Sequence, residues 1–144
     1  MQIGRLEEVD IRELWAHEQY NFSDWLAKQE NIQLLNEELG LSLVDAKKEV
    51  FVGSYRCDLV CADETSDDIT IIENQLEASN HEHLGKIITY ASGLKAKNII
   101  WIVKSAKEEH RSAIEWLNNN TPEDICFFLL EIVLLVIRGM LWRF

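Results

Sequence analysis

Little in this sequence breaks a chain: 144 residues contain one proline and six glycines. That leaves scant room for long loops and predicts closely spaced regular elements. Cysteine is also scarce. Cys57, Cys61 and Cys126 make an odd count with no C-x-x-C pair, and no signal peptide opens the chain. A disulfide framework and a thiolate zinc site are therefore not expected, and the usage reads as a reducing, cytoplasmic compartment. No apolar run reaches the ~20 residues of a spanning helix. The longest, Ile125 to Ile137, is 13 residues with Glu131 inside it, and reads as a buried strand and not a membrane segment. Positive charge is short too: 14 basic against 25 acidic residues, net −11. Taken alone this argues against nucleic acid, because neutralising phosphates needs Lys and Arg. The deficit is uneven, since residues 84–112 carry +4 and the remainder −15. A basic face and an ordinary solvated helix surface are both compatible with that segment.

What is present is a globular balance, 47% hydrophobic and 27% charged, in a length that fits one domain, 1–144. Residues 10–40 read as helical, with Ser23 as an N-cap and Gly40 as the stop. The period then shortens to that of strands near 42–52, 55–62 and 69–75. Ser79 with Glu82 forms a capping box before an amphipathic helix closed at Gly93. The run Asn98 to Val103 is continuously apolar, as in a strand covered on both faces. Ser105 with Glu108 opens another helix, to about Leu117, and a last strand follows Pro122. The order α-β-β-β-α-β-α-β predicts an α/β fold, a mixed sheet flanked by helices. Trp15, Trp25, Trp101 and Trp116 are expected in the core or an interface, and His81 and His83 on the surface.

The chemistry-bearing pattern lies on the second and third strands. Between them stands a polar turn, residues 63–68. A hairpin symmetric about that turn pairs residues whose numbers sum to 131, and Asp58 with Glu73 is such a pair. Like charges directly opposite each other destabilise a sheet. A divalent cation between them removes the conflict, and Mg²⁺ favours one or two carboxylates completed by water and phosphate. Gln75, two residues on, faces the same way and would orient a water or touch a phosphate. The alternative is a structural one: Asp58 paired with Arg56 or another cation, and Glu73 ending its strand towards solvent. Arg56 reads equally as a charge partner or a phosphate contact. Cys57 and Cys61 share a parity with Leu59 and are expected in the core.

Asp58, a strand-length gap, then Glu73-Asn74-Gln75 resembles the D…(E/D)-x-K signature of the PD-(D/E)XK nucleases. The stretch VGSYRCDLVCAD…ITIIENQLEASNHEHLGKIITYASGL also resembles a bacterial group of restriction-endonuclease-like proteins, over about residues 3–130. In that group the module often precedes a further domain. The resemblance implies a nuclease-like core at 30–104. A helical extension (1–30) would precede it, and a helix and strand (105–144), truncated or complete, would follow. It implies Mg²⁺ or Mn²⁺ on Asp58 and Glu73, and hydrolysis of DNA phosphodiester bonds. Gln75 stands where the pattern has lysine, so it can only hydrogen-bond, and Lys86 would supply the missing positive charge. Lys86 and Tyr90, four apart on a helix, match positions that face the active site in such nucleases. Glu37 matches an acid that the family often carries on the helix before the first strand. The competing expectation is a catalytically inactive nuclease-like module for DNA binding or protein assembly. The apolar stretch Ile132 to Phe144 reads either as a last strand with a homodimer contact or as part of a truncated module that continues.

Overall fold

The computed structural model describes the backbone of residues 6–9, 18–137 and 140–143, and the side chains of 22–133. Strand β1 is Leu6–Val9, followed by helices α1 (Glu18–Leu26) and α2 (Gln29–Leu39). Three strands come next: β2 (Leu43–Val52), β3 (Tyr55–Asp63) and β4 (Ile69–Ala78). Helix α3 (His81–Leu94), strand β5 (Asn98–Ser105), helix α4 (Glu108–Asn120) and strand β6 (Cys126–Glu131) complete the main body. Strands β7 (Leu134–Ile137) and β8 (Met140–Arg143) end it.

The central sheet has the order β2-β3-β4-β5-β6. Its first three strands are antiparallel, because short turns join them. β4, β5 and β6 run parallel, because α3 and α4 cross over between them. One core layer holds Phe22, Leu26, Ile32 and Leu35 of α1 and α2 against Leu59, Ile72, Ile100 and Ile102. The opposite layer holds Ile87 and Tyr90 of α3 and Ile114 of α4 against Ile71, Ile99, Trp101 and Val103. Helices on both faces bury the middle of β4 and β5, and in β5 the buried stretch Ile99 to Val103 reads as an apolar run instead of alternating. The expected α/β mixed sheet and its element order are what the structure shows.

Several local expectations change. The last apolar run is not one strand: β6 closes the central sheet, and the chain then pairs β7 with β1 and β8 in a separate sheet. β1 itself falls in the extension expected to be helical. The side chains of 134–144, on which the homodimer contact would rest, lie outside the described residues, as does Trp15. Ser23 does not cap a helix; it sits inside α1. The N-cap of α3 is Asn80, one residue after Ser79, and its side chain accepts from the His83 N–H. The N-cap of α4 is Lys107, not Ser105. Gly40 does stop α2, at φ 67°, its N–H donating to the Asn36 carbonyl. Trp101 is buried, whereas Trp116 is 62% exposed. Among the described residues no helix is long and apolar enough to cross a membrane.

Two features of β2 shape the site. Asp45 and Glu49 both have positive φ, 55° and 54°. The β2–β3 ladder shifts register between Val44 and Lys47, and Glu49 falls between the paired residues Lys48 and Val50. These bends twist the edge strand, as bulges do. The end of β2 is then pinned on α3, where a Cβ on Gly93 would lie 2.4 Å from Val52 Cγ1. Valine has little rotamer freedom on a strand to yield. Gly93→Ala should therefore cost about 1–3 kcal/mol through overpacking, read as a lower urea midpoint. Gly85→Ala, whose Cβ would meet nothing within 4 Å, should hold or raise it.

Candidate functional site

The pairing of β3 with β4 runs Leu59–Ile72, Val60–Ile71, Cys61–Thr70 and Ala62–Ile69. Each pair sums to 131, the register read from the turn. Asp63 makes that turn rigid: its Oδ1 accepts from the Thr65 N–H at 2.9 Å, the Ser66 N–H at 3.1 Å and the Thr65 hydroxyl at 2.8 Å. The ladder stops one step short of Asp58 and Glu73. There the Asp58 carboxylate turns onto β4 and accepts from the Asn74 N–H at 2.8 Å. Glu73 is buried, 2% exposed, and its Oε2 has no hydrogen-bond partner among the described residues.

Both carboxyls open on a cavity of about 480 Å³ between α1, the β2–β3 hairpin and α3. Four acids line it, Asp24, Glu49, Asp58 and Glu73, with three cations, Lys48, Arg56 and Lys86. Most of these pair off. Lys48 holds Asp24 at 2.5 Å, and Arg56 holds Glu49 at 3.9 Å. That leaves two carboxyls facing Lys86, whose ammonium is also 3.7 Å from Glu82 at the rim. Burial pushes both carboxyls above their ordinary range, Glu73 to about 8 and Asp58 to about 6. For Glu73 the neighbouring Asp58 charge adds to the rise, while Lys86 opposes it. For Asp58 the Asn74 N–H and Lys86 are the opposing influences. Two acids this close and this dry resist double ionisation near neutral pH unless positive charge is supplied.

His83 stands behind Glu73. Its backbone N–H and its Nδ1 both face Asn80 Oδ1, at 2.9 and 3.0 Å. An oxygen that accepts there places the ring proton on Nδ1 and leaves the Nε2 lone pair free. Among the described residues Nε2 has no hydrogen-bond partner, and it lies 4.0 Å from Glu73 Oε1, too far for a hydrogen bond. Burial, then Lys86, depress the His83 pKa. The sequence reading placed His83 on the surface, yet His83, Ile87 and Tyr90 are the buried residues of α3. Their i, i+4, i+7 spacing was the available signal.

The donor set can be tested against a divalent ion. Two carboxylates from adjacent strands, one with an orphaned buried oxygen, fit Mg²⁺ or Mn²⁺, which retain several water or phosphate positions. Among the described residues no cluster of three or more His, Cys, Asp or Glu side chains could hold a metal ion.

A repair endonuclease from Pyrococcus abyssi is similar with a TM-score of 0.50 at 12% identity, over 72% of this chain and 46% of that one. The shared fold is a mixed sheet flanked by helices. An EndoMS complex with dsDNA matches at a TM-score of 0.40 and 13% identity, over 73% of this chain and 45% of that one. The chain thus spans less than half the length of these neighbours. No protein-family model and no curated protein matches it.

Within this fold, the expected site residues separate into two groups. Asp58, Glu73, Arg56, Lys86 and Tyr90 all line the cavity. Tyr90 is buried there, and its hydroxyl is pushed up to about 12, by burial and then by Glu73. Arg56 is partnered by Glu49 instead of Asp58. Glu37 is exposed on α2 and is not part of the cavity wall; Asp24 of α1 is the helical acid that is. Gln75 is not in the wall either. Its Nε2 donates to the Ala78 carbonyl at 2.7 Å, and its Oε1 accepts from Trp101 Nε1 at 3.1 Å. Lysine has no acceptor for that indole, which accounts for glutamine here. Cys57 leaves the face of Leu59 and Cys61 and packs with Ile87 and Tyr90 instead; both cysteines are in the core as expected. The basic segment does not form a bare face: Lys97 pairs with Asp124 and Arg111 with Glu131.

Two measurements follow from this geometry. The Glu73 carboxyl is raised in the folded state, so the folded chain binds more protons than the unfolded one above the ordinary carboxylate range. Its contribution to stability is intact below about pH 4.5 and is lost as pH rises through about 8. Glu73→Gln should flatten that loss in urea titrations at pH 5 and pH 8. Gln75→Ala should cost about 1–3 kcal/mol, since it strands the buried Trp101 N–H, and should change the Trp101 near-ultraviolet signal.

Proposed function

We propose that this domain is a divalent-metal-dependent nuclease acting on DNA phosphodiester bonds. One observation carries the reading: two buried carboxyls from neighbouring strands, one with an orphaned oxygen, open onto a polar cavity beside a lysine. Asp58 and Glu73 would hold Mg²⁺ or Mn²⁺, which when bound polarises a phosphate and lowers the pKa of a water. Asp58 is oriented for this by the Asn74 N–H. Lys86, projecting from α3 into the same space, balances the carboxylate charge and points a cation at the phosphate position. It takes the electrostatic part of the lysine that the motif lacks at Gln75. Tyr90 forms the dry wall behind it. Lys48 and Arg56, already paired with acids, would meet the phosphates on either side.

Asp58→Asn is expected to remove Mn²⁺ binding in calorimetry and metal-dependent nicking of plasmid DNA, with the circular dichroism spectrum unchanged. Lys86→Ala should retain Mn²⁺ binding and cut slower by about 10²-fold, in the range for losing one preorganised charge. Equal nicking by wild type and Asp58→Asn would sink the assignment. Salt-sensitive DNA binding without turnover would move the domain to the binding-module class.

A further inference from the structure

The hairpin joining β2 to β3 carries more exposed aromatic surface than a free loop needs. Its turn is Gly53-Ser54, with Gly53 at φ 63°. Phe51 is 68% exposed and Tyr55 59% exposed. Register places Val52 opposite Tyr55 and Phe51 opposite Arg56. Cross-strand partners share a face, so the tip shows one aromatic ring on each face. Phe51 supports Arg56, whose guanidinium carbon lies 6.0 Å from the ring centroid.

Tyr55 has the more informative position. It lines the cavity that contains Asp58 and Glu73. It also lines an adjoining groove along α3, with Glu82, Gly85, Lys86, Thr89 and Tyr90. Lys86 and Tyr90 are common to both, so Tyr55 stands where the groove enters the cavity. The groove is open at Gly85, where a Cβ would meet nothing within 4 Å. Below the tip, contact of Val52 with Gly93 holds the hairpin against α3.

Charge decides what such a ring would meet. A chain of net −11 gains little from the counterion release that drives duplex binding. Stacking on an aromatic ring does not need net charge and is available to every base, provided a base face is free. In a duplex both faces are already covered by neighbouring pairs.

We propose that Tyr55 is a stacking platform for an unpaired base next to the carboxylate pair. Arg56, braced on Phe51, contacts the adjoining phosphate. The substrate class is accordingly DNA with a single-stranded segment, not continuous duplex. The proposal rests on the nuclease reading for the identity of the ligand as DNA, and its test does not require turnover.

The full chain is titrated by fluorescence anisotropy, in Ca²⁺, against one labelled mixed-sequence strand and the same strand in duplex. The single strand should bind at least about tenfold tighter. Tyr55→Ala should lose on the order of tenfold for the single strand and leave the duplex affinity unchanged. Tyr55→Phe and Tyr55→Trp should retain the preference, since they keep the ring. All three variants are checked for fold by circular dichroism; because Tyr55 is exposed, they are expected to fold. Equal affinity for the two DNA forms overturns the proposal, as does equal affinity of wild type and Tyr55→Ala, or no binding at all. If Tyr55→Ala leaves DNA affinity intact but abolishes a self-associated form in gel filtration, the patch is a protein contact and the proposal falls. Nicking activity with no strand preference would sink the stacking role and keep the nuclease. A strand preference without nicking would do the reverse.

Discussion

The arrangement turns on one electrostatic conflict, the burial of Asp58 and Glu73 side by side at the end of the β3–β4 ladder. Neither strand can relieve it. β4 is the middle strand of the sheet, antiparallel to β3 on one side and parallel to β5 on the other. Cores on both faces hold it in that place. Sliding β4 by one residue would turn its apolar set to the wrong faces. The carboxyls are therefore held together by the energy of packing the whole sheet. The surroundings supply only partial compensation, through the Asn74 N–H on Asp58 and the Lys86 field on both. What remains is an unmet requirement for positive charge, and a binding site for a cation is one way a fold can use it.

The surrounding elements read as consequences of keeping that pair dry on one side and open on the other. The bend at Glu49 and the ion pairs Lys48–Asp24 and Arg56–Glu49 arrange the outer wall. Tyr90 and Ile87 of α3 close the inner side. A second polar chain lies apart from the cavity. Ser79 Oγ is 2.6 Å from His110 Nδ1, and His110 Nε2 is 3.0 Å from His81 Nδ1. Ser79 also accepts from the Lys107 N–H at 2.9 Å. These bonds join the starts of α3 and α4 across the ends of the parallel strands, and they account for the burial of His110 without any ligand.

The glutamine of the E-x-Q motif shows how a sequence pattern and a site can part. In the pattern its position belongs to the water-orienting lysine. In the structure both ends of its amide are engaged within the protein, by the Ala78 carbonyl and the Trp101 indole. Lys86, on α3, lines the cavity from which Gln75 is absent.

The hairpin register was legible in the sequence, because side-chain alternation has a fixed period of two and the polar turn at 63–68 fixes the symmetry point. The apolar run at 98–103 likewise marked a strand covered on both faces, and the i, i+4 spacing placed Lys86 and Tyr90 together. The caps at Asn80 and Lys107 escaped it, since which polar residue caps a helix depends on where the preceding strand releases the chain. So did the retreat of Gln75 from the cavity, the burial of His83 against Glu73, and the replacement of Glu37 by Asp24 in the wall. Local periodicity sets which residues share a face of one element. Which faces of different elements meet is decided by three-dimensional packing, where the contacts of α1 and α3 with the sheet select the residues that reach the cavity.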